Sequence, residues 1–144
     1  MSYASDGKYI YLDYEPKLSL TFINNTFPIP LYNNTILEEL TLTGAVVKAL
    51  SIPGVVGITG AWNGSVVIQF INGTYALVNM STGVVKPIYA SIAGFSSDLL
   101  YYFYNELTVV NGTQRLAISL PNYAYAFPVA WSRGMLIIAW RPGL

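Results

Sequence analysis

Three sets of residues in this 144-residue chain have the types and spacing to do chemistry. The first is a set of six Asn-x-Ser/Thr sequons, at Asn24, Asn33, Asn63, Asn72, Asn79 and Asn111, each an acceptor pattern for an N-linked glycan. Ten Asn and 21 Ser plus Thr would give roughly 1.5 such patterns by chance, so six is about a fourfold excess. Three of them, Asn63, Asn72 and Asn111, are also Asn-Gly pairs, which turn formation alone would select. The second set is Trp62, Phe95 and Trp131, which occupy equivalent places just before or within polar turns. Flat rings beside Asn and Asp suit the faces of sugars, although in repeated units a recurrent aromatic also packs one unit on the next. The third set is the carboxylates, Asp6, Asp13, Asp98, Glu15, Glu38, Glu39 and Glu106. A carboxylate-dependent hydrolase needs two that converge, and Asp6 and Asp98 sit at equivalent turns. Turn aspartates ordinarily satisfy backbone N–H groups, and the adjacent Glu38 and Glu39 point to opposite faces of a strand. The expectation is therefore a protein that is not an enzyme.

Composition narrows the chemistry further. With no histidine and no cysteine, Ser-His-Asp and Cys-His catalysis, His/Cys zinc sites and disulfides are all excluded. Gly54, Gly57 and Gly60 have the wrong spacing for a phosphate loop, with no lysine following, and no calcium-loop spacing occurs, so no metal and no cofactor are expected. Seven basic and seven acidic side chains cancel, which argues against nucleic acid as a partner.

Only 10% of residues are charged and 53% are hydrophobic, with a mean hydropathy of +0.46, against a typical charged share of roughly 25%. No charge occurs between Lys48 and Lys86, yet Pro53, Asn63, Asn72, Asn79 and six glycines break that interval. No piece approaches the roughly 20 apolar residues of a spanning helix, so no transmembrane helix is expected. Met1 to Asp6 lacks the basic start and apolar stretch of a signal peptide.

These residues must be positioned by a repeated element. Four times a small residue, usually with an aromatic, runs into a polar turn and then a strand: Ala4 to Gly7 before Lys8 to Tyr14, Ala61 to Gly64 before Ser65 to Ile71, Gly94 to Asp98 before Leu99 to Tyr104, and Ala130 to Gly134 before Met135 to Trp140. The later intervals are 33 and 36 residues, while the first, 57, holds an insertion. Asn72-Gly73 is the pair a two-residue type I′ hairpin requires. Tyr75, Leu77 and Asn79 alternate with Ala76, Val78 and Met80 behind it, as do Leu18, Leu20, Phe22 and Leu116, Ile118, Leu120 in their own segments. The fold class is all-β, an antiparallel meander repeated about every 35 residues, as propeller-like blades or an open sandwich. One domain is expected over 1–144, with units near 1–34, 55–88, 89–121 and 122–144 and an insertion at 35–54. Glu38, Glu39, Ala45, Lys48 and Ala49 admit one short helix near 36–50.

Ser5-Asp6-Gly7-Lys8-Tyr9-Ile10-Tyr11 resembles the S-P-D-G-K-x-I-x-F turn-and-strand signature of TolB-type, WD40-like β-propeller repeats, without its proline. The later copies keep only the outline, so the resemblance covers about a third of the chain. It implies blades around an axis. The texture, rich in Tyr, Asn, Thr, Ile and Val, is also similar to that of extracellular and virion proteins of hyperthermophilic archaea. Propellers have roughly four to eight blades of four strands, and three and a half units are counted here, with no incoming strand before the first. A small ring, an open sheet or sandwich, or part of a larger assembly would each satisfy that count. Open strand edges, Lys8 to Tyr14 among them, would then serve self-association or a partner chain. The leading expectation is a non-enzymatic extracellular, cell-surface or virion-surface structural and adhesive module, glycosylated and oligomeric. A carbohydrate-binding module using Trp62 and Trp131, a carboxylate-dependent hydrolase domain and a β-barrel pore are the alternatives.

Overall fold

The computed structural model describes the backbone of residues 2–16, 20–23, 27–30, 32–119, 123–132 and 135–142, and the side chains of 2–16 and 32–119. Every regular element among these residues is a β-strand. The first sheet has the order β1 (Ser2–Ser5), β2 (Tyr9–Tyr14), β5 (Ile36–Thr41), β6 (Val46–Ser51), with the separate hairpin β3 (Leu20–Ile23) and β4 (Phe27–Pro30) between β2 and β5 in the chain. The second is a meander of β7 (Val55–Trp62), β8 (Ser65–Phe70), β9 (Tyr75–Asn79) and β10 (Val85–Ile88). The third is a meander of β11 (Ile92–Ser96), β12 (Leu99–Phe103), β13 (Glu106–Asn111) and β14 (Gln114–Ser119), and the hairpin β15 (Tyr123–Ser132) and β16 (Met135–Pro142) follows. Neighbouring strands within each sheet are antiparallel. No helix among the described residues is long and apolar enough to cross a membrane.

The sheets stack face to face. Alternation along β8 sends Val66 and Ile68 to one face and Val67 to the other, and all three are fully buried. Val66, Ile68, Ala76 and Val78 meet Tyr11 and Leu37 of the first sheet, while Val67 and Tyr75 meet Ala93, Phe95, Leu100 and Tyr102 of the third. The far face of the third sheet carries Leu99, Phe103, Leu107 and Val109, and β15 lies near β11, β12 and β13. The second sheet is thus apolar on both faces, which accounts for the long uncharged interval in the sequence. First strands lie side by side, β7 between β1 and β11, and β15 beside β11. Ala61, Gly60 and Gly94 are small where these strands approach. Among the described residues the stack does not close into a ring.

Three expectations are corrected. Residues 36–50 form no helix; they are the hairpin of β5 and β6, and the segment expected as an insertion supplies the third and fourth strands of the first sheet. Gly44 takes φ 95°, and the Gly44 N–H donates to the Thr41 carbonyl at 2.9 Å, which turns the chain back. Pairing of β5 with β2 and of β6 with β5 outweighs the helix preference of Glu38, Glu39 and Ala49, since strand formation rewards cross-strand packing. The strand Lys8 to Tyr14 has no open edge, because β2 pairs with β1 on one side and β5 on the other; Ser2–Ser5 is the incoming strand that the sequence reading lacked. The two-residue turn with positive φ at both positions is at Asn63-Gly64 (φ 49° and 81°), between paired Trp62 and Ser65. Asn72-Gly73 lies instead in a longer loop with only Gly73 at positive φ, closed by the Gly73 N–H on the Phe70 carbonyl at 2.9 Å.

Two polar joints fasten the first sheet to the second. The Ser2 hydroxyl donates to buried Asp13 and accepts the Ile58 N–H of β7 at 2.8 Å. At the same end of the first sheet, buried Thr35 donates through Oγ1 to the Ile52 carbonyl and accepts the Val55 N–H at 3.3 Å. Each satisfies backbone groups where one sheet passes into the next.

Candidate functional site

Asp6, Trp62, Asn63, Asn79 and Phe95 lie at one end of the stack, with the β1–β2 and β7–β8 turns, whereas Asn72, on the β8–β9 loop, and Asp13 lie toward the opposite end. Asp6 closes the β1–β2 turn: its Oδ1 accepts the N–H groups of Lys8 (2.9 Å) and Tyr9 (2.8 Å), and its Oδ2 the Tyr11 hydroxyl (3.2 Å). Burial pushes the Asp6 carboxyl up, but the Tyr9 and Lys8 N–H groups, the Tyr11 hydroxyl and the Gly64 N–H outweigh it and hold the pKa below the ordinary 3.8. Asp6 therefore ties its own turn to the Asn63-Gly64 turn of the next sheet. Tyr11 is fully buried, and burial together with the carboxylates of Asp6 and Glu39 holds its phenol well above the ordinary value. Glu39 stands directly across from Tyr11 on β5, whereas Glu38 is on the opposite face and accepts the Tyr14 hydroxyl at 2.6 Å. Asp98 is exposed and lines neither of the clefts that Asp6 borders, so the structure does not bring these two turn carboxylates into one cleft. No group of three or more acidic side chains among the described residues is placed to hold a metal ion.

Two clefts open beside Asp6. One, of about 250 Å³, lies across β1, β7 and β11 and is lined by Ser5, Asp6, Trp62, Phe95 and Ser97. It unites two of the three aromatic turn positions, which play different parts. Trp62 remains 39% exposed, while Phe95 is half-buried and packs on the cluster of Val67, Tyr75 and Ala93. Trp131 is on β15 opposite Leu136, and its side chain lies outside the described residues. The other cleft, of about 240 Å³, is polar and lies between the first two sheets, with Lys8, Glu39, Asn63, Asn79 and Ser81 on its walls. The Lys48 ammonium donates to the Ser81 carbonyl at 2.8 Å and joins β6 to the turn after β9.

Five sequon asparagines, Asn33, Asn63, Asn72, Asn79 and Asn111, are exposed, and Asn24 lies outside the described residues. Two have the same local geometry. Asn72 Oδ1 accepts the N–H (3.0 Å) and the hydroxyl (2.7 Å) of Thr74. Asn79 Oδ1 accepts the N–H (3.0 Å) and hydroxyl (2.8 Å) of Ser81 as well as the Thr82 N–H (3.2 Å). In both, the hydroxyl that defines the sequon is hydrogen-bonded to the acceptor amide, an Asx turn that also stops the strand.

Sequence reading missed the close approach of β7 and β11. A Cβ on Gly60 would stand 2.5 Å from the Phe95 nitrogen, and one on Gly94 would stand 2.8 Å from the Thr59 carbonyl oxygen. The small residue before each aromatic was visible as a repeat, but its partner strand was not. No protein-family model, no curated protein and no solved structure matches this chain, so its fold and its site are characterised by its own geometry.

Proposed function

We propose that this chain is a non-enzymatic structural and adhesive β module of an extracellular or virion surface, glycosylated on its turns and joined to other copies through its outer strands. The observation that supports this most directly is at the edges. The outermost strand of each four-stranded sheet, β6, β10 or β14, is paired on one side only among the described residues. These strands expose apolar side chains, Val46 at 56%, Val47 at 51% and Leu116 at 47%. A free edge with apolar neighbours is a template for pairing unless it is guarded. Lys86 and Pro87 guard β10; on β6 the one charge, Lys48, is drawn aside to Ser81, leaving Val46 and Val47 beside exposed Leu42. Asn-linked sugars on the turns would keep so neutral a surface in solution while the edges assemble. Sedimentation velocity over a concentration series tests the reading: dimers or larger species should grow with concentration and be lost in Val47→Lys. A strict monomer at the highest concentration refutes it.

A second reading, carbohydrate recognition at the turn end, draws on the exposed Trp62 indole in a cleft with Ser5, Asp6 and Ser97. Glycan-array binding that survives Trp62→Ala would exclude it.

A further inference from the structure

A cleft of about 540 Å³ lies away from both turn-end clefts, in the wedge between the outer halves of the second and third sheets. Its floor is made of side chains that the strand registers point at one another: Leu77 and Ile88 from the second sheet, Leu100 and Val110 from the third. Lys86 and Arg115 stand on its two walls, and no carboxylate lines it. In a chain with seven basic residues, two unopposed cations on one apolar cleft make a charge pattern that asks for an anion. Arg115 is held in place: its guanidinium lies over the Tyr102 ring, 5.7 Å from the centroid, and donates to the Tyr102 hydroxyl. That bond uses one of the five N–H donors of a planar fork, leaving others for a carboxylate. Tyr89, 86% exposed, is the most exposed large apolar side chain among the described residues and offers a free aromatic face on the same cleft.

We infer that this wedge binds an acidic sugar, with the ring's apolar face on Tyr89 and its carboxylate between Arg115 and Lys86. The partner chemistry follows from the walls. Two cations are too few for a nucleic-acid backbone, whose binding rests on many phosphate contacts. An aliphatic acid would leave much of its chain in water, because the cleft is open along one side and carries the hydroxyls of Tyr102 and Thr113. A ring that is apolar on its face and polar at its rim satisfies both kinds of wall. The site uses side chains that β10 and β14 turn into the wedge rather than the backbone edges of those strands, and it does not include Trp62, so loss of sugar binding and loss of self-association are read separately.

The test is calorimetric titration of the full chain with a galacturonate trisaccharide, and with maltotriose and decanoate in parallel. The galacturonate should bind in the millimolar range or tighter and weaken as salt is raised, while maltotriose gives no heat. Arg115→Ala should weaken binding about tenfold and Arg115→Lys less, because a charge-assisted fork is lost fully in one and partly in the other. Tyr89→Ala should weaken it as well. Arg115 and Tyr89 are exposed, so an unchanged unfolding midpoint in each variant verifies that the fold is intact. The inference is overturned by absent galacturonate binding, by equal binding of maltotriose, by stronger binding of decanoate, or by full affinity in Arg115→Ala.

Discussion

Gly60 and Phe95 are in backbone contact across two sheets: the space a Gly60 Cβ would need is occupied by the Phe95 nitrogen at 2.5 Å and its Cα at 3.0 Å. Because those atoms belong to the main chain of β11, no rotamer change can clear them. Gly60→Ala should therefore destabilise the protein by about 2 kcal/mol or more, as overpacking does in a close-packed interior. Gly57→Ala, whose Cβ would meet only Ser2 Oγ at 3.7 Å, should stay within about 0.5 kcal/mol of the parent. Urea denaturation of the two variants beside the parent decides it, and equal midpoints would show that β7 and β11 are further apart than described.

Trp62 and Phe95 should separate in the same measurement. Phe95→Ala removes a ring packed between the second and third sheets and should cost about 2 kcal/mol, whereas Trp62→Ala should cost about 1 kcal/mol or less. A larger loss at Trp62 would assign its indole to packing rather than to recognition.

Asp6 makes stability depend on acid. Its folded pKa lies below the unfolded 3.8, so its contribution is fully present above that value and is lost as pH falls through the folded pKa. Denaturation midpoints taken from about pH 5 down to about pH 3 should fall more steeply in the parent than in Asp6→Asn, which cannot lose a charge there. Parallel curves would place the acid sensitivity elsewhere.

Tyr11 should do the reverse in alkali. Burial and the carboxylates of Asp6 and Glu39 raise its folded pKa above the unfolded 10.0, so its stabilisation is whole below that pH and declines as pH rises beyond it. Tyr75 and Tyr101 are raised in the same direction, chiefly by burial. Spectrophotometric titration should show these phenols ionising only as the fold is lost, and Tyr11→Phe should soften the alkaline transition.

The shared geometry of Asn72 and Asn79 predicts glycans at both. In a secreting host that attaches N-linked sugars, intact mass should drop by one glycan in Thr74→Ala and by one in Ser81→Ala. The same variants made without glycosylation lose a turn hydrogen bond and should cost about 1 kcal/mol or less. A bare polypeptide mass for the parent from that host would remove the sugars from the functional reading.

What the sequence made legible was local. The alternation of Tyr75, Leu77 and Asn79 marks β9, and the recurring small-aromatic-turn outline marks the first strand of successive sheets, because strand period and turn residues are set within a few positions. Glu38, Glu39 and Ala49 misled because their propensity is helical; β2, far away in sequence, pairs with Glu38 and Glu39, and Ala49 pairs in turn with Glu38 across the β5–β6 hairpin. The identical pairs Asn63-Gly64 and Asn72-Gly73 adopt different turns, since the pairing of the flanking strands sets the loop length. At the turn end, Asp6 could be read as structural from its place alone. Its link to Gly64, the contact of Gly60 with Phe95 and the meeting of Lys86 with Arg115 arise from stacking one sheet on another, which no short window of sequence contains.

The second sheet is built from one uninterrupted stretch, Val55 to Ile88, and short connections join it to the sheets on either side. Under tension along the chain such a molecule behaves as a series of pleats rather than as one knot. Each pleat that gives way pays out a fixed length, roughly 110 Å for the second sheet at the reach of an extended chain. A chain folded this way yields to tension in steps, dissipating work at each one, and the remaining pleats still hold their neighbours while it does so.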